Sequence, residues 1–399
     1  MGRGRVGRRS REGAIVLKFL FAPDSFKGSL SATEMARMMD RVCRIHFPEA
    51  ETVLAPMADG GEGTVEALVT ARSGRMEEAP VTGPDGATVR ARFGLIDAGT
   101  AVLEMAQASG LPLMAGRPDP LGATSRGTGE LIRHALDLGA RRLLLGIGGS
   151  ATNDGGMGML SALGAKFYDG DGTLLEGRGR DLALVERADL SSLDPRLRKA
   201  RITVICDVTN PLCGPDGATA VYGPQKGVIP ALFPVLEDGM ARYARLLEEH
   251  LGRDVSRFPG AGAAGGMGAA LGGVMQAEMR KGIDAVLEAV RFDQLLPGCD
   301  LVLTGEGRMD AQSILYGKAP AGIARRCKAA NVPVIAIVGG MGPGAEGYYR
   351  EGMTSIMTTV SGVMPLEEAM GNAERLFLDA LERTFRMIKI GMTLGSPAC

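Results

Sequence analysis

The sequence predicts an α/β protein in which both ends of the chain build one doubly wound parallel-sheet domain and a second α/β domain is inserted between them. Three observations carry this. Short apolar strands alternate with helices from Val16 to Arg72. The same beat returns from Asp300 to the last helix. Between them, from about Gly74 to Gly282, the rhythm changes to short strands of antiparallel character and glycine loops. Alternating strands and helices indicate a parallel sheet covered on both faces, and insertions are tolerated where chain ends lie close together. The expected boundaries are an N-terminal extension at 1–15, a first domain of 16–74 plus 283–399, and an inserted domain at 75–282.

Each element has a local reason. The basic "MGRGRVGRRSREG" precedes the apolar "AIVLKFLFA" in the charge order of a signal peptide. Lys18 interrupts that run and "PDSFKG" is a poor cleavage site, so the expectation is a disordered tail or an over-long start. The strand "VLKFLFA" follows, then a helix over Ser31–Ile45 with a capping box of Ser31 and Glu34 and one face of Met35, Met38, Val42 and Ile45. The strand "ETVLAPM" leads to a helix over Glu62–Arg72. In the middle, "EEAPVT", "VRARFGLID" and "TAVLEMA" read as antiparallel strands. The far end reads "DLVLTGEG", a helix from Lys318, "VPVIAIVGG", "TSIMTTVS" and a long helix from Pro365.

Composition narrows the function. A chain of 399 residues has material for a sizeable core, and its formal net charge of −1 gives no basis for a nucleic-acid or membrane-surface partner. No stretch has the length to span a bilayer. The six cysteines are scattered without a CxxC, which reads as reduced thiols and a cytoplasmic location. His46, His134 and His250 lie apart and outside the glycine loops, so neither a His-ligated metal nor a Ser-His-Asp triad is expected.

In open parallel sheets ligands bind beyond the carboxyl ends of strands, and here several strands end in polar residues set among glycines. They are "APDSFKGS" with Asp24, Ser25 and Lys27; "APMADGGEGT" with Asp59, Glu62 and Thr64; and "TGEGRMD" with Glu306, Arg308 and Asp310. The middle region adds "RITVICDVTNPLCG" with Asp207, Thr209 and Asn210, and "GIGGSATNDGGMGML" with Ser150, Thr152, Asn153 and Asp154. Any one could be a helix cap or a turn. Together they equip a cleft with carboxylates, lysine and backbone N–H groups, which is the apparatus of phosphoryl transfer: acids for Mg²⁺, N–H groups and cations for phosphate, one carboxylate as base. The six glycines of the last motif let backbone N–H groups approach anionic oxygens, so the expectation is a loop for a metal nucleotide. Asp154 would repel phosphate unless a cation lay between. In "YGPQKG", Lys226 could reach a shared site.

"GIGGSA" also matches G-x-G-x-x-A, with Asp169 about twenty residues on, as in a dinucleotide fold. An NAD(P)-dependent dehydrogenase acting on a small hydroxy acid is therefore the alternative, although no histidine stands near the motifs. A non-catalytic protein using its basic tail on nucleic acid is a third reading, and leaves the carboxylate motifs unexplained. "QSILYGKA" lacks the first glycine and the Ser/Thr of a Walker A loop.

The motifs "FAPDSFKGSLSA", "PMADGGEGT", "GIGGSATNDGGMG", "CDVTNPLCGPDGA", "YGPQKG", "GAGAAGGMG" and "LTGEGRMDAQS" together resemble the bacterial glycerate kinase family, from about Phe19 to the last helix. The resemblance implies an ATP- and Mg²⁺-dependent kinase that turns D-glycerate into 2-phosphoglycerate. It also implies a flavodoxin-like domain, an inserted restriction-endonuclease-like domain and a site between them. The roles expected on chemical grounds are Asp207 as base with Asp24 second, and Lys27 or Arg308 on the substrate carboxylate. Asp59, Glu62 and Asp310 would contact substrate, Asp154 and Glu306 the metal. Gly148, Gly149, Ser150, Asn153, Asp154 and Gly155 would hold nucleotide phosphate, with Lys226 and Lys318 countering its charge. The sequence sets no oligomeric state; a homo-oligomer is compatible with it.

Overall fold

The structure is a computed structural model and describes residues 8–9 and 15–395. Of the N-terminal extension, Arg8–Arg9 pair antiparallel with Ile15–Val16; the rest of the expected disordered tail lies outside the described residues. The chain divides into two compact units. The first takes the residues up to Asp59, Glu66–Arg72 and everything from Ile283 on; the second takes Gly60–Val65 and Ser73–Gly282.

Among the described residues, the first unit holds a five-stranded sheet of Lys18–Pro23, Glu51–Leu54, Leu301–Met309, Val334–Met341 and Ser355–Thr358. All neighbours pair in parallel. Numbered along the chain, the strands lie in the order 2-1-3-4-5. The "VLKFLFA" strand thus pairs directly with the "LVLTGEG" strand, nearly three hundred positions away, in the register Leu301↔Phe19 to Gly305↔Pro23. Successive residues Phe19 to Ala22 are all buried, and since their side chains alternate in direction, both faces of the sheet are covered. One face packs Phe19 and Phe21 with Met35, Met39, Phe377 and Phe385.

The capping box at Ser31 and Glu34 is formed and starts the helix Ala32–His46. Met35, Met38 and Val42 are buried, but Ile45 in the last turn is exposed. The single helix expected from Pro365 is instead two, Leu366–Gly371 and Ala373–Gly395. The break falls at Asn372, whose side-chain amide donates to the Glu368 carbonyl and so ends the first helix.

Among the described residues, the second unit holds a six-stranded mixed sheet whose order follows the chain: Arg75–Thr82, Thr88–Asp97, Thr100–Glu104, Arg142–Gly146, Arg201–Ile205, Glu278–Arg280. The first three form an antiparallel meander and the last four run parallel. Pro80 sits on the edge strand, where its missing N–H breaks no ladder bond.

Candidate active site

In the first unit, the loops after strands one and two, the third strand and the start of the helix Ala319–Ala330 bring five expected residues into one charged cluster. Asp24 follows Pro23 directly, and its N–H donates to the Gly305 carbonyl at 2.8 Å, which fastens the strand end to its neighbour. Its side chain is buried, and Oδ1 accepts the Ser25 N–H at 2.7 Å. Burial is the largest influence on this carboxyl, and with Asp59 and Glu306 nearby it lifts the pKa from 3.8 to about 7 against the Ser25 hydrogen bond.

Asp59, in the loop after the second strand, accepts Lys27 Nζ at 3.3 Å, and chiefly through this charge the lysine is held above its usual range. Glu306 sits on the third strand with Oε1 3.2 Å from Lys318 Nζ. Its Oε2 is buried without a hydrogen-bond partner. Burial raises the Glu306 pKa although Lys318 opposes it.

Arg308 is two residues further along and exposed, 3.4 Å from Asp310. Asp310 is already employed: Oδ1 accepts the Ser313 N–H at 3.0 Å and caps the helix Ala311–Leu315. That bond, first among several influences, holds its pKa low. Asp24, Lys27, Glu306, Arg308 and Lys318 all line one cavity of about 570 Å³. Its remaining wall includes Gly339, Gly340, Met341, Val360, Leu366 and Met370. Sequence reasoning missed these. The signal was "VGGMGPG" (Val338–Gly344), a glycine-rich run at a strand end that reads as an ordinary turn beside the longer glycine motif.

The glycine motif belongs to the second unit and has a different environment. Gly148 and Gly149 are exposed, Gly149 at φ +73°, but the chain from Ser150 to Leu160 is buried. Asp154 is fully enclosed. Its Oδ2 accepts both the N–H and the hydroxyl of Ser125, each at 2.7 Å, and Oδ1 accepts the Gly156 N–H at 3.0 Å. The expectation of a carboxylate facing a cation is corrected by this geometry: Asp154 ties the loop to the start of the helix Arg126–Asp137.

The glycines around it serve close packing. A side chain at Gly155 would sit 2.7 Å from the Tyr243 ring, and one at Gly156 would sit 2.6 Å from Ala270. Gly155 N–H donates to the Gly265 carbonyl at 3.0 Å, so "GAGAAG" packs back to back with this loop. Ser150 is buried and bridges to Gly110. Asn153 Nδ2 donates to Thr219 Oγ1 at 3.2 Å.

Lys226, expected to counter phosphate charge, is also fully buried, and its Nζ donates to the Thr152 carbonyl at 2.8 Å. Loss of solvent pulls its pKa down to about 7, with Asp154 pulling the other way. Asp207, expected to have restricted access, is exposed just past the strand Arg201–Ile205, where Oδ1 accepts the Gly282 N–H at 2.7 Å. Glu62 is exposed in the turn before the helix Thr64–Ala71.

The sequence profile described as "Glycerate kinase family" matches residues 19–389. The chain belongs to the glycerate kinase family. It is 47% identical to the glycerate kinase of Bacillus subtilis over 381 residues, 95% of this chain and 98% of that one. It is 45% identical to the glycerate 2-kinase of Escherichia coli over 381 residues, 95% of this chain and 99% of that one. A crystal structure provisionally assigned as glycerate kinase 2 from Salmonella typhimurium LT2 superposes with a TM-score of 0.85 at 44% identity, covering 95% of this chain and 100% of that one.

Membership of the glycerate kinase family leaves the dehydrogenase reading without support, and the geometry gives the reason "GIGGSA" misleads. The helix after it is only Met157–Ala162 and begins beyond Gly156. Asp169 closes a turn by accepting the N–H groups of Asp171 and Thr173. It follows the strand Lys166–Tyr168, which belongs to a separate two-stranded sheet. A ribose-binding acid would stand at the tip of the neighbouring parallel strand.

Proposed function

We propose that this protein is an ATP-dependent kinase that phosphorylates D-glycerate to 2-phosphoglycerate, with Asp24 as the general base. The observation that carries the assignment is the buried Asp24 carboxyl, its pKa near 7, in a cavity with Lys27, Glu306 and Lys318. A base works best when its pKa lies near the working pH. Asp207, first choice on sequence grounds, is exposed and accepts a backbone N–H, so we place it second.

In this reading Lys27 or Arg308 holds the glycerate carboxylate, Arg308 with the option of two parallel hydrogen bonds. Asp24 takes the proton of the 2-hydroxyl as its oxygen bonds to the terminal phosphorus of ATP. The bond from that phosphorus to the bridging oxygen breaks, ADP leaves with the electron pair, and Asp24 returns the proton to solvent. Lys318 and Lys27 compensate the negative charge that gathers on the transferring group.

The residues fit Mg²⁺. Among the described residues no three His, Cys, Asp or Glu side chains form a preorganised metal cage, and Mg²⁺ bound with phosphates needs only one or two protein carboxylates. Glu306, with its orphaned buried Oε2, is the first candidate and Asp59 the second. The ion, when bound, would supply positive charge against the phosphates. The strand order 2-1-3-4-5 supports a flavodoxin-like reading of the first unit, with Asp24 and Glu306 at the switch between its first and third strands. The restriction-endonuclease-like description of the second unit rests on the family resemblance alone. A cytoplasmic location agrees with free Cys43, Cys206, Cys213, Cys299 and Cys327.

The test is ADP release on adding D-glycerate to purified protein with ATP and Mg²⁺, with the product identified by phosphorus NMR. Glycerate-dependent ADP and 2-phosphoglycerate are expected. Absence of ADP release sinks the proposal, and 3-phosphoglycerate as product overturns the choice of hydroxyl.

A further inference from the structure

We propose that the purine of the nucleotide binds in the first unit, on the turn at Gly339–Gly342 and against Met341, Val360, Leu366 and Met370. This rests on reading the protein as an ATP-dependent kinase and says where that co-substrate's apolar end goes.

The first argument is size and polarity. The cavity has about 570 Å³, within the roughly 300–1,000 Å³ usual for sites that hold a ligand of nucleoside size or larger. Glycerate is small and polar throughout, and the charged residues around Asp24 meet its needs. It leaves the apolar wall unused. Met341, Leu366 and Met370 are 47%, 75% and 41% exposed, so this wall is open to a ligand. The helix Leu366–Gly371 that supplies two of them has no buried residue of its own. A flat aromatic base uses such a wall, while Lys27, Arg308 and Lys318 in the same cavity suit the triphosphate.

The second argument comes from Gly340. A glycine inside a strand weakens it and often marks a close approach of another molecule to the backbone. Its neighbour Gly339 has an internal reason, because a Cβ there would lie 2.5 Å from the Gly307 carbonyl oxygen. Gly340 has none: a Cβ would meet nothing within 4 Å, and its backbone is not left-handed. The fold permits a side chain at this position, so the space in front of Gly340 is what the glycine keeps clear.

The third argument is that the other glycine loop is already occupied. The buried part of the other glycine loop, Ser150–Gly156, has its backbone and Asp154 committed to packing within its own unit.

Gly340→Val tests this, with ATP and inorganic tripolyphosphate as probes in titration calorimetry. The expected result is ATP affinity reduced about tenfold or more, since a pocket senses even one added methylene at that level. Tripolyphosphate affinity should stay within about twofold, and the melting temperature within about 2 °C. Wild-type ATP affinity in folded Gly340→Val overturns the proposal. Should that variant fail to fold, Leu366→Asp, at an exposed position, decides the matter: weaker ATP with unchanged tripolyphosphate supports the proposal, and unchanged ATP overturns it. Wild-type protein that phosphorylates glycerate while both variants bind ATP normally removes this inference alone. Wild-type protein without glycerate-dependent ADP release removes the kinase reading itself.

Discussion

Asp24 and Asp154 are both buried aspartates beyond a strand end, set among glycine and serine, and they have opposite environments. Asp154 is surrounded by donors: two groups of Ser125 and the Gly156 N–H occupy its oxygens. Asp24 has the Ser25 N–H and, facing it, the like charges of Asp59 and Glu306. A satisfied buried carboxylate organises a scaffold, while one crowded by its own kind is under electrostatic stress. Unmet demand, not polarity or glycine content, separates the candidate site from the structural knot.

The largest effect that sharpens this contrast is expected from Asp24→Asn, which should lower kcat by about 10²–10⁴-fold if Asp24 is the base. Wild-type kcat/KM should rise with pH through about 7 as Asp24 ionises. The sign for stability is the reverse. Because the folded pKa is raised, the native state holds more protons than the unfolded chain between 3.8 and about 7, so this group's stabilisation fades as pH rises through that window. Asp24→Asn should therefore melt no lower than wild type at about pH 8. A melting temperature that collapses with activity would show Asp24 to be structural as well.

Asp154→Ala should act the other way round. It strands the Ser125 and Gly156 donors in the interior, at a cost of about 3 kcal/mol or more. Thermal melting should show the loss, while nucleotide affinity per folded molecule stays near wild type. Weakened nucleotide binding at an unchanged melting temperature would break the comparison and restore the loop as a phosphate site.

A subtler measurement distinguishes the two candidate bases. In Asp207→Asn the kcat/KM profile should keep its inflection near 7, and in Asp24→Asn any residual activity should lose it. Loss of the inflection in Asp207→Asn instead would transfer the role to Asp207.

The smallest effect concerns Lys226. Burial lowers its pKa from 10.5 to about 7, so across that interval the unfolded chain binds more protons than the native state. Its contribution to stability grows as pH rises through the interval and is lost on the way down. Lys226→Met should flatten the rise of melting temperature over that interval. An unaltered slope would mean that Lys226 stays charged beside Asp154.

The sequence by itself determined the two-ended α/β plan, the capped first helix, the antiparallel meander and the family, because periodicity, caps and long motifs are local signals. It also named Asp24, Lys27, Asp59 and Glu306 as polar residues at strand ends and Lys318 as a cation for phosphate. It could not say which polar residues face a cavity. Asp154 and Lys226 carry the same letters as a ligand site and became interior, because Ser125, Thr152 and Tyr243 close around them from distant positions. Asp207 was expected to be enclosed and is exposed, since burial depends on what covers a strand end and not on the strand before it. Gly340 went unremarked for the converse reason: its meaning is an empty volume, and only chain segments folded around that volume define it. Which charges lose their water, and which find partners there, was decided by tertiary structure alone.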